Sequence, residues 1–505
     1  MKYLYILLFF LIATQTSVAQ FTLSNEKVFG GTLDDGILAK FRVNDTFYLF
    51  GNSNSDASGT KSDDSFGDRD AWLVCTDLNY TVLWDTVYGG NDFDQLFAVQ
   101  QDSNGFYLII QSLSGVSGNK TTGSIGSADI WVLSIDLDGN ILNQYTYGGT
   151  NSERPLSATF DNNQLFILSS SQSGVSGNKT TSNFGGNDYW LIQVNTINGI
   201  IDYQASFGTS NDEFFNAQII KNSFGNIILA GTAYGNDGNK TDPGYGSNDM
   251  WLLELDQNLN IINEKCFGGD FEERLSNIIE HNGHYYIAAE GNSHISGNKT
   301  SPSFSFLNGN NPNWYFLSDL WSLKIDNNFN LIWDRSYGSG ADEISSSVFY
   351  AEHDKLVLSC TSRSNENGAG NKTTPNYGQE DVWVVITDLD GNILTQQNFG
   401  GTGEDYGSVS PGNSPTELFL NVFTNSSASS IGNMSVANNG NFDAWIADID
   451  VQNWLTLAEE NASKSIKVYP NPTENSVYLS ETVERLEIRD AQGKVVQTLQ
   501  NTNYT

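Results

Sequence analysis

The chain has 505 residues with 59 acidic and 24 basic side chains, giving a formal net charge of −35. That balance argues against nucleic acid or an anionic membrane surface as partner, because phosphates need Lys and Arg to neutralise them. The 3 cysteines, Cys75, Cys266 and Cys360, are odd in number and unrelated in spacing, so they read as small buried apolar residues rather than a disulfide framework.

Residues 1–19 have the build of a secretory signal peptide. Lys2 supplies the charged start, residues 3–13 the apolar run, and Ser17-Val18-Ala19 the small residues for cleavage before Gln20. The run is short for a membrane span, and no later segment is long and apolar enough for one. The mature protein is expected to be secreted or displayed on the outer cell surface, with no membrane insertion.

Residues 20–453 carry a seven-fold repeat. An Asp-x-Trp triplet recurs at Asp70/Trp72, Asp129/Trp131, Asp188/Trp190, Asp249/Trp251, Asp319/Trp321, Asp381/Trp383 and Asp443/Trp445. An aromatic-Gly pair recurs at Phe29, Tyr88, Tyr147, Phe207, Phe267, Tyr337 and Phe399. A repeat of this size is one supersecondary unit that buries its apolar face on its neighbours. In the second repeat the pattern predicts strands over 96–101, 106–113, 130–135 and 141–147. The first hairpin turn would be Ser103-Asn104-Gly105, where Asn-Gly tolerates positive φ, and the second lies at 136–140. Four antiparallel strands repeated seven times predict an all-β, seven-bladed β-propeller. Residues 22–31 match a fourth strand, and the last repeat lacks one after 444–450. The N-terminal strand should therefore complete the last blade and remove the open edge. The pattern FGG-x-x-x-D followed by G-x-x-x-L-x-G resembles bacterial β-propeller repeats of the SBBP type over most of residues 21–450. That resemblance implies a fold more than an activity.

Several polar positions recur with the repeat. An acid follows the first Gly of every aromatic-Gly pair by five residues: Asp35, Asp94, Glu153, Glu213, Glu273, Glu343 and Asp405. The loop between the second and third strands carries Lys61, Lys120, Lys179, Lys240, Lys299 and Lys372, with Met434 in the seventh repeat. Acid, Lys and the Asp before Trp should share one face. They would tie loops together, or form a ring of cation sites; no cofactor is expected, and calcium is the cation such a ring would admit. The Asn-Lys-Thr triplets at Asn119, Asn178, Asn239, Asn298 and Asn371 read as loop geometry, and Asp136-x-Asp138-Gly139 and Asp388-x-Asp390-Gly391 as turns.

The fifth repeat breaks the symmetry with a longer second-to-third-strand loop containing Phe304, Phe306, Asn308, Asn310, Asn311, Asn313, Trp314, Tyr315 and Phe316. Aromatic faces beside amides suit a sugar, the ring covering C–H groups while amides bond hydroxyls. Asn311, Asn313, Trp314, Tyr315 and Phe316 are the candidate ligand-binding residues, with packing on the neighbouring blade as the alternative. His281 and His284 flank a turn that offers no third metal ligand in sequence, and His294 and His353 stand apart. No catalytic residue set stands out.

Residues 454–465 form a polar linker. Beyond it come Tyr469-Pro470-Asn471-Pro472, alternating stretches at 477–479 and 486–488, and the turn 490–494. These pieces resemble part of the C-terminal sorting domain of type IX secretion cargo from Bacteroidetes, which implies a small, partial β-sandwich-like domain over 466–505 and the type IX machinery as a partner. The functional expectation is a monomeric, non-catalytic binding module for a glycan or protein, using its loop-rich face. The alternatives are a polysaccharide-acting enzyme with carboxylates at the central channel, or a structural or adhesive surface module.

Overall fold

The computed structural model describes residues 21–213, 216–304, 317–351, 354–363 and 370–451, with short strands between 468 and 502. The chain divides into two compact units, the larger being Val18–Trp454. Among its described residues, seven four-stranded antiparallel sheets follow one another as the blades of a propeller. Blade one comprises Asp35–Val43, Thr46–Ser53, Asp70–Asp77 and Val82–Tyr88. Blade two comprises Asp94–Gln101, Gly105–Ser112, Asp129–Asp136 and Ile141–Tyr147, within two residues of the expected spans at every end.

The ring closes as the sequence predicts. Blade seven takes Asp405–Pro411, Glu417–Thr424 and Asp443–Val451 from the end of the repeat array and Phe21–Phe29 from its start. The N-terminal strand pairs Phe29 with Ala444, Val28 with Trp445 and Phe21 with Val451. Pairing these distant segments removes two unpaired strand edges at once.

The core consists of layers between blades. One layer joins Phe50, Leu73 and Tyr88 of blade one to Leu96, Phe106, Leu108 and Trp131 of blade two. The third strands are buried on both faces, and all seven Trp of the Asp-x-Trp triplets are 0% exposed. Burying a side chain of that size removes about 200 Å² from water, a hydrophobic gain of about 5 kcal/mol. Each blade thus depends on both neighbours, which is why the repeat appears as a closed array.

One turn forms differently from its expectation. Neither Asn104 nor Gly105 has positive φ. Asp102 closes the hairpin instead: its amide donates to the Gly105 carbonyl (3.0 Å), and its carboxylate accepts the N–H groups of Asn104 (2.7 Å) and Gly105 (2.9 Å). The carboxylate supplies the local acceptor that an Asn-Gly turn would otherwise obtain through backbone twist. The second turn does use a left-handed glycine, Gly139 at φ 80°, with the Asp136 carboxylate accepting from Asp138 and Asn140.

In the smaller unit Val468–Tyr469 pairs with Tyr478–Leu479, and Val483–Arg489 with Val495–Thr502. The expected signal segment, the linker, 470–472 and the turn 490–494 lie outside the described residues.

Candidate binding face

The recurring acids sit at the start of the innermost strand in six blades and, as Glu213 ahead of Gln218–Lys221, just before it in blade four, on the face that carries the long loops. All seven are fully buried. Each carboxylate accepts the amide four residues back, for example Gly31 to Asp35 (2.6 Å), Gly90 to Asp94 (2.6 Å), Gly269 to Glu273 (2.7 Å) and Gly401 to Asp405 (2.7 Å). Most also accept a hydroxyl at the start of the second-to-third-strand loop, as Ser55 to Asp35 (2.6 Å) and Ser114 to Asp94 (2.7 Å). The acid therefore stitches the connection between blades to the loop beside it. The asparagines of the Asn-Lys-Thr triplets make a second stitch: Asn119 Oδ1 accepts the Gly89 amide (3.0 Å) while Nδ2 donates to the Val87 carbonyl (2.8 Å).

The six lysines are buried as well. Their ammonium groups donate mainly to loop carbonyls, Lys61 to Ser55 and Asp63 (both 2.6 Å) and Lys372 to Thr374 (2.6 Å). Four lie over a blade Trp, Lys299 4.9 Å from the Trp321 ring centre. Burial pulls Lys179 and Lys299 down to about 8, against the upward pull of nearby carboxylates.

The Asp of each Asp-x-Trp triplet caps the loop that precedes it. Asp70 accepts the Phe66 amide (2.6 Å), Asp381 that of Tyr377 (2.5 Å) and Asp443 that of Asn439 (2.6 Å). Its other oxygen packs on the first Gly of the aromatic-Gly pair. A Cβ on Gly89 would lie 1.7 Å from Asp70 Oδ1, and one on Gly30 1.8 Å from Asp443 Oδ1, so close approach is what requires glycine there. The acid of the next repeat lies across the same glycine, which places two carboxyl groups together in a dry site. Burial raises Asp70 to about 6, Asp381 to about 7 and Asp443 to about 6, with Asp94, Asp405 and Asp35 respectively adding repulsion.

A third recurring position escaped the sequence reading. Three residues before each aromatic-Gly aromatic stands an acceptor for the blade indole: Asp85, Gln144, Gln204, Glu264, Asp334, Gln396 and Glu26 bond the Nε1–H of Trp72, Trp131, Trp190, Trp251, Trp321, Trp383 and Trp445. Each also accepts the backbone N–H that follows the Lys position, as Thr121 to Gln144 (2.9 Å) and Ser435 to Glu26 (3.0 Å). The constant offset was visible, but the residue alternates between amide and acid and so formed no motif. Glu26 does this for blade seven from the other end of the chain, a side-chain counterpart of ring closure.

Two features of this face stand open. Large apolar side chains of the loops, Phe66, Val116, Val175, Tyr245, Ile295 and Ile431, stand exposed. Between blades three and four lies an open cleft of about 490 Å³, lined by Gly186, Ser210, Asn211, Asp212, Tyr234, Ser247 and Asn248. The candidate residues Asn311, Asn313, Trp314, Tyr315 and Phe316 lie outside the described residues. The chain leaves for that segment from this same face, where the Asp319 carboxylate accepts the Phe304 amide (2.6 Å) and the Ser303 hydroxyl (2.7 Å). The central channel contains a cavity of about 300 Å³ with walls such as Leu38, Ala98, Leu156, Ser157, Ala217 and Gln218, and no carboxylate among its described lining. The recurring acids belong to the turns above it. His281 stacks on Tyr350 of the next blade, ring centres 3.5 Å apart, while His284 Nδ1 meets the Asn282 carbonyl (2.9 Å), so the two histidines are engaged separately.

No family model and no curated protein matches the chain. Solved structures similar to it include the Neurospora crassa Pan2 WD40 domain, at 9% identity over 83% of this chain and 89% of that one, TM-score 0.42. The β-propeller domain of the Trilobed protease from Pyrococcus furiosus is similar at 8% identity over 82% and 93%, TM-score 0.39. A quinohemoprotein alcohol dehydrogenase from Pseudomonas putida is similar at 10% identity over 85% and 76%, TM-score 0.40.

Proposed function

We propose that this protein is a secreted or outer-surface binding module that recognises a glycan or a protein through its loop-bearing face, without catalysis. One observation carries the reading. The ionisable groups that recur on that face are engaged inside the blades, whereas apolar loop residues and a polar cleft stand open there, the makings of a recognition surface. The sequence of the fifth loop, with its aromatic and amide residues and Trp314 foremost, supports the same reading. Export through the type IX machinery and a monomeric state belong to this reading.

The test is binding of the full secreted chain to a panel of immobilised polysaccharides, with and without calcium, beside Trp314→Ala. Binding that Trp314→Ala weakens supports recognition through the fifth loop. Polysaccharide turnover by the purified chain would overturn the non-catalytic reading. Failure to bind any polysaccharide would leave a protein partner as the ligand class.

A further inference from the structure

The cleft between blades three and four lies where the repeat is rewritten. Elsewhere the second residue of the turn is Gly or Ser, and in most repeats a serine hydroxyl from the loop reaches the acid, as Ser114 reaches Asp94 (2.7 Å). In the fourth repeat the turn residue is Thr209 and the loop residue is Gly235. Thr209 Oγ1 stands in for the missing hydroxyl, 2.8 Å from Glu213 Oε1 and 2.7 Å from the Tyr234 carbonyl, its single proton shared between the two. Gly235 is then free to adopt φ 97°, a conformation that no other repeat uses at this place among the described residues. Tyr234 stands 45% exposed at the edge of the open cleft; its position is exposed in other repeats too, as at Leu113, and the fourth repeat differs in placing an aromatic ring with a hydroxyl there. The exchange conserves the stitching of the blade, since Glu213 keeps a hydroxyl partner.

The polar groups that face the cleft are mostly acceptors. Asp212 Oδ1 accepts the backbone and side-chain N–H groups of Asn187 (2.8 and 3.0 Å), which orient the carboxylate and leave Oδ2 without a hydrogen-bond partner among the described residues. Asn211 and Asn248 use their amide nitrogens internally, on the Tyr234 carbonyl (3.2 Å) and the Glu272 carboxylate (3.3 Å), which leaves their carbonyl oxygens for a ligand. No Lys or Arg is among the described residues that line the cleft. Its volume falls in the range of about 300–1,000 Å³ typical of small-ligand sites. An aromatic face beside oriented acceptors calls for a ligand with C–H groups on one side and several donors at its rim.

Resting on the glycan arm of the reading above, we infer that this cleft is a saccharide subsite that selects amino sugars and neutral sugars over acidic ones. The sugar stacks on Tyr234, its hydroxyls donate to Asn211 and Asn248, and the ammonium of an amino sugar donates to Asp212. A uronate is rejected because its carboxylate would meet Asp212 with no basic side chain to receive it.

The test is calorimetric titration of the full chain with three probes: a glucosamine trisaccharide, a glucose trisaccharide and a galacturonate trisaccharide. Binding is expected for the first, weaker binding for the second and none for the third. Tyr234→Ala should weaken the first two by about tenfold or more. Asp212→Asn, which keeps the acceptor for Asn187, should remove the preference for the amino sugar while retaining the neutral one. Both side chains face solvent, and an unchanged melting temperature confirms that the fold is intact. Galacturonate binding, absence of any trisaccharide binding, affinity indifferent to Tyr234→Ala, or tetralysine binding as tightly as the glucosamine probe would each overturn the inference. Polysaccharide binding lost in Trp314→Ala but untouched by Tyr234→Ala would overturn it while leaving the proposed function standing.

Discussion

Removing the Asp334 carboxylate should cost more than removing any comparable surface group. Asp334 is 1% exposed and accepts the Trp321 indole N–H (2.9 Å), the Ser301 amide (2.8 Å), the Ser301 hydroxyl (2.6 Å), the Thr300 amide (3.1 Å) and the Thr300 hydroxyl. Asp334→Ala strands the indole and the Ser301 amide in a dry site. A buried donor left unmatched costs about 1–3 kcal/mol, so two cost about 2–6 kcal/mol. Unfolding entropy near 2.1 cal/mol/K per residue, over a ring of about 430 residues, converts this to a fall of about 2–7 °C in melting temperature. Burial pushes the Asp334 carboxyl up, but the hydroxyl, indole and amide donors outweigh it and hold it below the usual carboxylate range. A depressed folded pKa stabilises above the unfolded pKa and loses that contribution as pH falls through the folded one. The penalty of Asp334→Ala should therefore be complete at neutral pH and shrink only in strong acid. Thermal unfolding by circular dichroism at neutral and acid pH measures both. A fall below about 1 °C at pH 7 would refute the claim that these donors depend on this one side chain.

The buried carboxyl pairs predict the opposite pH trend over a different window. Raised folded pKa values mean that the folded chain binds more protons than the unfolded one between about 4 and the folded values, about 6 for Asp70 and Asp443 and about 7 for Asp381. Stability should rise as pH falls from about 7.5 to 5, and a melting temperature that drops steadily over that range would contradict it. Met434→Lys should place an ammonium in the one repeat that lacks it, beside Asp405 and Asp443, as Lys120 stands beside Asp94 and Asp129. It should raise the melting temperature at pH 8 and do little at pH 5, so an equal effect at both would show that charge is not the cause. Between blades one and seven, Lys40 sits over Phe419 (3.8 Å), 3.2 Å from the Tyr80 hydroxyl and 3.9 Å from Asp448, all buried. Lys40→Met leaves the Asp448 carboxylate without its counter-charge and should cost about 3 kcal/mol. Adding Asp448→Asn should recover more than half of that loss, and failure to recover would mean that packing, not charge, holds the clasp.

The propeller was legible in the residues because its determinants repeat. Trp131 and Tyr147 announce the same two strands that Trp190 and Phe207 announce, and 22–31 matches a fourth strand whose third was left unpaired at 444–450. Seven copies of a weak local pattern amount to a strong one, since each blade must bury both faces on units like itself. The roles of the recurring charges followed in part: that Asp35 and Lys61 share a face was readable from spacing, as was the loop role of Asn119. Two things depended on the folded chain. Asp443 and Asp35 are 408 positions apart in numbering and meet across Gly30 only because the ring closes, which turns two ordinary acids into a buried pair. The exchange of Thr209 and Gly235 reads in sequence as two unrelated substitutions, and only three-dimensional proximity shows that one hydroxyl replaces the other and leaves Tyr234 beside Asp212. Periodicity determines which surfaces are buried, because burial is a property of the pattern. Which departures from the pattern form a site depends on contacts between segments far apart in the chain, and those arise from tertiary packing.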